Sequence, residues 1–396
     1  MNYIKQNLKL IAVSAGHFSN DFYMNLIPPI LFAFSDELGL TLSQQSMIAF
    51  VITTGGTLLQ PVFGYMLDKS GKSSYLIFGV LWISIGMSAT ALITNYYFLI
   101  AVAGLSAVAS AIYHPLGSSI AANLSTVSRG RSLSIFMTIG GFAATFTPMV
   151  SIPVVNSFGL KYIAFFAIPG VITAIFLKTA NVDKIECRAD SGIEKKQKAA
   201  VEKDKVMWLS LIVLISVIRV AISSLLVVFG VQLMLAKGVS VITAGVILSI
   251  HMLLRSVGTL TGGLITDELG EKKVMVFFNI ILLLVYGMTM FADGFITAAG
   301  IIILGYVLNA TSTANITITH NIIPENLNLG TGMIMGLSST IAGLIVLVLG
   351  KYADAFGLIP MVRISTVIVA FAVLISFFIP IKYVKLKRNS GTSANF

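Results

Sequence analysis

Two ionisable side chains lie four residues apart in the first long apolar segment of the chain. The stretch GHFSNDFY (residues 16–23) places His17 and Asp21 where a lipid-facing helix would carry aliphatic residues. On a helix this spacing puts both side chains on one face, about 6 Å apart. A carboxylate inside a bilayer costs a few kcal/mol unless it faces a cavity or a partner. We therefore predict that Asp21 accepts a proton and that His17 tunes or relays it.

A structural role is the alternative for the same pair. Pro28 and Pro29 follow a short distance along the chain and interrupt a helix at that point. Asp21 would then cap the broken helix, and the His17 ring would bond to a backbone carbonyl.

Two arginines occupy apolar segments of the second half of the chain. Arg219 lies in one segment, and Arg255 lies in the next, four residues after His251. A guanidinium offers paired donors to a carboxylate or a phosphonate, so these residues predict an anion site. The alternative is an ion pair between Arg219 and Asp21. One mid-segment acid cannot neutralise two arginines, which favours an anionic substrate.

Weaker candidates surround these residues. His114 lies in YHPLG and His320 in TITHN, and for either one a hydrogen-bonded structural role is the alternative. The polar run NATSTANITITHN (309–321) either lines a cavity or bonds between helices. Further candidates for the cavity wall, several of them aromatic residues for which packing is the alternative, are Tyr23, Gln60, Tyr113, Phe136, Phe142, His251 and Asn315.

The composition predicts that helices crossing a membrane position these residues. Hydrophobic residues make up 56% of the 396 residues and charged residues only 11%, against about 25% charged in soluble proteins. The apolar runs are continuous and of bilayer-spanning length, which excludes the alternation of a β-barrel. We predict an all-α polytopic membrane protein with twelve spans, at 8–34, 43–67, 73–93, 97–123, 131–157, 160–178, 206–235, 240–266, 273–292, 296–321, 329–351 and 357–384.

The basic residues predict the orientation and the domains. With twelve spans, the Lys and Arg clusters fall on one side, so both termini and the polar stretch 181–205 are expected in the cytoplasm. That stretch reads as a linker between an N-terminal six-helix bundle (1–180) and a C-terminal bundle (206–396). The net charge of +10 indicates cytoplasmic loops near anionic lipid rather than nucleic-acid binding. We predict a monomer in the cell membrane.

The two halves repeat each other. GYMLDKSGK (64–72) follows the second span and GLITDELGEKK (263–273) follows the eighth; each has a glycine, then an aspartate four residues later. NSFGL (156–160) and DAFGL (354–358) follow the fifth and eleventh spans. Repeated six-span halves are typical of one large class of secondary transporters.

The motif GYMLDKSGK resembles the loop signature of the major facilitator superfamily. A plain polar turn is the alternative, but the recurrence in the second half favours the signature. The motifs HFSND (17–21), TLLQPVFGYMLDK (57–69), YHPLGSS (113–119) and RGRSLSIF (129–136) together resemble the fosmidomycin-resistance family within it. The resemblance implies two pseudo-symmetric bundles around a cavity, with a conformational switch assigned to Gly64, Asp68, Gly71, Lys72, Arg129, Arg131 and Asp267.

One departure from the fosmidomycin-resistance family concerns the substrate. The family has a glutamate and an arginine after the His-Pro pair, where this chain has Leu116 and Ser119. A charged pair is therefore missing from the fourth span. The resemblance supports the fold but leaves the particular drug open.

The remaining motifs narrow the function. No nucleotide-binding loop, cofactor motif, metal-ligand motif or hydrolase motif is found, and Cys187 is the only cysteine. The HFSND spacing is one residue short of the acyltransferase pattern, so an enzyme is not predicted. We predict proton-coupled efflux of a small toxic compound, anionic or phosphonate-like. The alternative is uptake of a sugar phosphate or organic acid.

Overall fold

The computed structural model describes residues 2–60, 62–63, 66, 72–124, 129–185, 203–323, 330 and 333–379. Most of these residues are helical. In chain order the α-helices in these residues are α1 (Asn2–Met24), α2 (Leu31–Leu38), α3 (Leu42–Thr57), α4 (Tyr75–Ala89), α5 (Tyr96–Asn123), α6 (Arg129–Phe158), α7 (Ala167–Thr179), α8 (Lys203–Ala236), α9 (Val241–Leu269), α10 (Glu271–Phe291), α11 (Gly294–Ala310), α12 (Ser312–Ile322), α13 (Ser338–Phe356) and α14 (Leu358–Phe378).

Ten helical segments of the described residues are long and apolar enough to cross a membrane. They correspond to the third to twelfth predicted spans. The first two predicted spans fall on α1 to α3 and are not among the ten. Helix α3 has only 16 residues, and α1 carries many polar residues.

The first predicted span is interrupted. Helix α1 ends at Met24, and a 3₁₀ turn over Pro28–Ile30 precedes the short helix α2. Proline has no N–H to continue the helical ladder, which explains the break. Helix α2 ends at Gly39, whose φ of +64° is a left-handed conformation that glycine adopts without strain.

The tenth predicted span is also two helices. Helix α11 ends at Ala310, and α12 begins at Ser312 after a junction at Thr311. Both helices lie in one segment that is long and apolar enough to cross a membrane, Gly294–Ile322, which agrees with the single span predicted from the sequence (296–321). One π-helical turn, Met333–Leu337, precedes α13.

The chain divides into two compact units. The first contains Met1–Lys195, Ser224–Leu253 and Gly343–Met361, and the second contains Lys196–Ser223, Leu254–Ala342 and Val362–Phe396. Helices α8, α9, α13 and α14 each contribute one segment to each unit. These units are not the same division as the two six-helix bundles (1–180 and 206–396) predicted from the sequence, which stay a prediction.

In the first unit, α1 is enclosed by α4, α5, α6 and α7. An apolar cluster fills the space between them and includes Val13, Val80, Tyr113 and Leu177. The polar side chains of His17 and Asn20 on α1 are therefore buried among these helices. This enclosure holds the candidate site.

The first unit also joins the two halves of the sequence. The Asp354 carboxylate accepts hydrogen bonds from the backbone N–H groups of Leu42, at 2.6 Å, and Ser43, at 3.1 Å, and from the Ser43 hydroxyl. The Gln232 amide donates to Gln45 at 2.8 Å. These contacts lie at the helix ends that the charge pattern places on the outer side of the membrane.

Candidate functional site

His17 is fixed by its neighbours on α6. Its Nδ1 lies 2.8 Å from the carbonyl oxygen of Phe136, and its ring stacks on the Phe136 ring with centroids 4.0 Å apart. Gly140 leaves room for this ring, because a Cβ there would lie 2.3 Å from His17 Cε1. An oxygen acceptor at Nδ1 means that Nδ1 carries hydrogen, so Nε2 is the nitrogen free to exchange a proton.

Asp21 lies between two imidazoles. His17 Nε2 is 3.3 Å from Asp21 Oδ2, and His114 Nε2 is 3.3 Å from Asp21 Oδ1. The side chains of Asp21 and His114 are 20% and 31% exposed, whereas that of His17 is 3% exposed. The structure thus adds His114, from α5, to the pair read from the sequence.

Asn20 completes the cluster, and the sequence reading missed it. Its amide nitrogen lies 3.0 Å from Asp21 Oδ1, 3.0 Å from the Ser110 hydroxyl and 3.3 Å from His114 Nε2. The position of this asparagine, directly before the intramembrane Asp21, was the one feature of the sequence that could have indicated its role. Its contacts with α5 could not be read from the order of residues.

The cluster has acceptor atoms that require a proton between them. A bare Nε2 lone pair of His17 facing the Asp21 carboxylate at 3.3 Å is unfavourable. A proton on that nitrogen makes the contact a charge-assisted hydrogen bond. His114 Nε2 faces both the other carboxylate oxygen and the Asn20 amide, so its role in these contacts depends on its tautomer.

Three of the predicted cavity residues use their polar atoms within the protein. The Tyr23 hydroxyl donates to the carbonyl of Phe166 at 2.5 Å, and the Tyr113 hydroxyl donates to the carbonyl of Val13 at 2.7 Å. The Gln60 amide donates to the carbonyl of Gly56, in its own chain segment, at 2.9 Å. That these three side chains contact the substrate stays a prediction.

Arg219 belongs to the second unit. Its side chain is buried, with Nη1 3.4 Å from the carbonyl oxygen of Leu308 and 3.3 Å from Asn309 Oδ1. Its Nε is buried without a hydrogen-bond partner among the described residues. Arg255 lies in the same unit. Asn309, which the sequence placed only in a polar run, is therefore a neighbour of the candidate anion site.

The other predicted site residues are spread over both units. Asn315 is buried and its amide donates to the Ser216 hydroxyl at 3.0 Å in the second unit. His251 is buried in the part of α9 that belongs to the first unit. Phe142 is 53% exposed on α6, and His320 is half-buried near the end of α12.

The predicted switch residues are only partly described. Gly64, Asp68 and Gly71 lie outside the described residues. Lys72 and Asp267 are exposed, and Arg129 and Arg131 lie at the start of α6. Their switch role remains a prediction.

Comparison with known proteins identifies the fold. The family model of the Major Facilitator Superfamily matches residues 13–328. The chain belongs to this superfamily. It is 25% identical over 350 residues to the Fosmidomycin resistance protein of Escherichia coli (strain K12), covering 87% of this chain and 86% of that protein. It is 23% identical over 362 residues to the uncharacterized MFS-type transporter YfnC of Bacillus subtilis (strain 168), covering 89% and 88%.

Solved structures of major facilitator proteins have the same fold. A bacterial homologue of the human lysosomal transporter Spinster, inward-facing and unoccupied, superimposes with a TM-score of 0.78 at 13% identity, covering 96% of this chain and 98% of that one. A mutant of the nucleoside transporter NupG superimposes with a TM-score of 0.73 at 14% identity, covering 93% of this chain and 98% of that one.

Membership of the major facilitator superfamily confirms several predictions. The all-α membrane fold and the resemblance to the fosmidomycin-resistance family are confirmed. The chain is a multi-pass membrane transporter for a small molecule and not an enzyme.

Proposed function

We propose that this transporter exports a small toxic anion in exchange for protons, by alternating access. The observation that carries the proposal is the position of Asp21, half-buried in a helix bundle between the imidazoles of His17 and His114. A carboxylate beside two imidazoles can accept a proton and pass it on. The relative named for fosmidomycin resistance supports export of a toxic compound.

The proposed cycle alternates between proton and substrate. Asp21 takes up a proton from outside and the substrate leaves outward; the proton then leaves inward as new substrate binds. Coupling requires that each ligand lowers the affinity for the other, which competition for overlapping charge provides.

The anion is proposed to bind near Arg219 and Arg255. Among the described residues, the buried Arg219 guanidinium bonds to neutral oxygens, those of Leu308 and Asn309. Two arginines in membrane-spanning helices of one unit favour an anion as their partner. His114, Tyr23, Gln60, Tyr113, His251 and Asn315 are proposed to line the path.

Uptake is the second candidate function. A symporter for a sugar phosphate or an organic acid would use the same proton cluster and the same arginines. Two arginines would bind an anionic substrate equally well in an importer and in an exporter. The two proposed functions therefore differ only in whether proton and substrate move in the same or in opposite directions.

The proposed architecture follows the charge pattern. Two six-helix bundles (1–180 and 206–396) are joined by a cytoplasmic linker (181–205), with both termini in the cytoplasm. Basic loops on one side support this orientation. The proposed unit is a monomer in the cell membrane, with lipid, protons and substrate as its partners.

Proton release by the purified protein tests the proposal. Fosmidomycin, sugar phosphates and lipophilic cations are added in turn to protein in unbuffered detergent solution, and pH is recorded. We expect one anionic class to release protons, and Asp21→Asn to abolish the release. Asp36→Asn, at an exposed acid, is the matched control and should leave it unchanged.

Two further outcomes discriminate within the same assay. Arg219→Ala should reduce the response to anions far more than any response to lipophilic cations, and equal losses would refute the anion site. Release that persists in Asp21→Asn would refute the proton site. Tight substrate binding without any release would favour symport or uncoupled uptake.

A further inference from the structure

Three metal-ligand side chains converge in the candidate proton site. One ligand atom from each of His17, Asp21 and His114 lies within 4.8 Å of the others. We propose that this cluster binds one divalent transition-metal ion of the zinc class, which competes with the protons of the transporter. Binding of the ion stands on the geometry alone, and only the competition rests on the proposed function.

The distances suit a tetrahedral ion. Zinc–nitrogen and zinc–oxygen bonds of about 2.0–2.2 Å place the ligand atoms of a tetrahedral site roughly 3.3 Å apart. His17 Nε2 lies 3.3 Å from Asp21 Oδ2 and His114 Nε2 lies 3.3 Å from Asp21 Oδ1, so each nitrogen faces one oxygen of the carboxylate at this spacing. The two imidazole rings are perpendicular, with centroids 5.1 Å apart, so they approach the carboxylate from different directions.

The surroundings of the ligands are those that metal sites need. Metal-binding histidines donate their other ring nitrogen to an oxygen, which fixes the ring and directs the free lone pair at the ion. The bond of His17 Nδ1 to the Phe136 carbonyl does this. The Asn20 amide holds the carboxylate in the same way, at 3.0 Å from Asp21 Oδ1.

His114 has to exchange one partner for the ion. The Asn20 amide nitrogen lies 3.3 Å from His114 Nε2 and 3.0 Å from the Ser110 hydroxyl. A bound ion would replace the first contact, and the second would keep the amide satisfied. The exposed fractions of Asp21 and His114 leave one side of the site accessible to a fourth ligand, such as water.

The donor set selects the class of ion. Two imidazole nitrogens and one carboxylate suit Zn²⁺, Co²⁺ and Ni²⁺, whereas Mg²⁺ and Ca²⁺ prefer all-oxygen shells. A bound ion would use the same nitrogen and oxygen lone pairs that a proton would use. The ion and the proton therefore exclude each other at the same three atoms.

Cobalt absorption and zinc binding test the site. The full chain is purified with a tag that lacks histidine, in chelator-treated detergent, and titrated with Co²⁺ and then with Zn²⁺ at neutral pH. We expect one ion per chain, a visible absorption band of tetrahedral Co²⁺, and displacement of Co²⁺ by Zn²⁺. Mg²⁺ should produce no displacement.

Variants assign the ion to the cluster. His114→Gln and Asp21→Asn should each weaken Zn²⁺ binding about tenfold or more, as loss of a ligand or its support does. His320→Gln is the matched control and should bind Zn²⁺ normally. The thermal-unfolding midpoint of each variant shows that it is folded. Binding weaker than millimolar, or unchanged in His114→Gln, would overturn the proposal.

A separate arm distinguishes this proposal from the proposed function. Substrate-induced proton release is measured with chelator and again with saturating Zn²⁺. Loss of the release on adding Zn²⁺ would support competition, and release that persists with the site filled would refute it. Stoichiometric Zn²⁺ binding in a protein without substrate-induced proton release would leave the metal site standing and reject proton coupling.

Discussion

Gly140 determines where the His17 ring can lie. A Cβ at this position would lie 2.3 Å from His17 Cε1 and 2.4 Å from Nδ1. The ring would have to leave the Phe136 carbonyl, and Nε2 would turn away from Asp21. A residue without a side chain thus positions the His17 ring in the proton cluster.

Gly140→Ala tests this dependence, with Gly230→Ala as the matched control. An added Cβ at Gly230 meets nothing within 4 Å. Overpacking costs about 1–3 kcal/mol, whereas alanine gains up to about 1 kcal/mol over glycine in a helix. We expect Gly140→Ala to have the lower thermal-unfolding midpoint and to lose substrate-induced proton release, and Gly230→Ala to retain both. Equal behaviour of the two variants would contradict the argument.

At the scale of helices, Asp354 joins α13 to the start of α3. Its carboxylate accepts from the Leu42 and Ser43 backbone N–H groups, which have no partner inside α3. A negative charge at a helix N-terminus is favourable by about 0.3–1 kcal/mol. In an alternating-access cycle this contact has to break whenever the outer side opens.

Asp354→Asn should favour opening at the outer ends. Loss of about 1 kcal/mol shifts a two-state balance about fivefold. Spin labels at Lys161→Cys and Ser240→Cys, in a Cys187→Ser background, report the distance between outer loops of the first unit. We expect Asp354→Asn to increase the population at long distance, and Asp36→Asn, the exposed acid nearby, to have no effect. An unchanged distance distribution would exclude a latch at Asp354.

Helix positions were more predictable than helix breaks or helix neighbours. Hydropathy located the third to twelfth spans, because apolar length is a property of the local sequence. It did not reveal the junction at Thr311, because α11 and α12 together form one stretch of membrane-spanning length. Nor did it place His114 beside Asp21. That contact depends on packing between α1 and α5, which one sequence does not encode in its spacing.

At the scale of the whole molecule, the charge distribution sets the proposed orientation. Basic residues cluster in alternate loops and in the polar stretch 181–205. The positive-inside rule places these on the cytoplasmic side. The single cysteine, Cys187, lies in this stretch, so labelling of its thiol can report on which side of the membrane the stretch lies.

Labelling of Cys187 tests the orientation. A membrane-impermeant maleimide should label it in inside-out vesicles and not in sealed right-side-out vesicles. Ser240→Cys in a Cys187→Ser background should show the opposite pattern, because the predicted topology puts residue 240 outside. Labelling of Cys187 from outside would invert the proposed topology and, with it, the direction assigned to the proton gradient.

The contacts of Arg219 have a mechanical consequence. Its guanidinium bonds the carbonyl of Leu308 and the side chain of Asn309, just before the junction at Thr311 that separates α11 from α12. An anion that draws the guanidinium towards itself would break these two hydrogen bonds next to the helix junction. Anion binding would then increase the mobility of α12 relative to α11, so the flexibility of this helix pair would depend on whether the site is occupied.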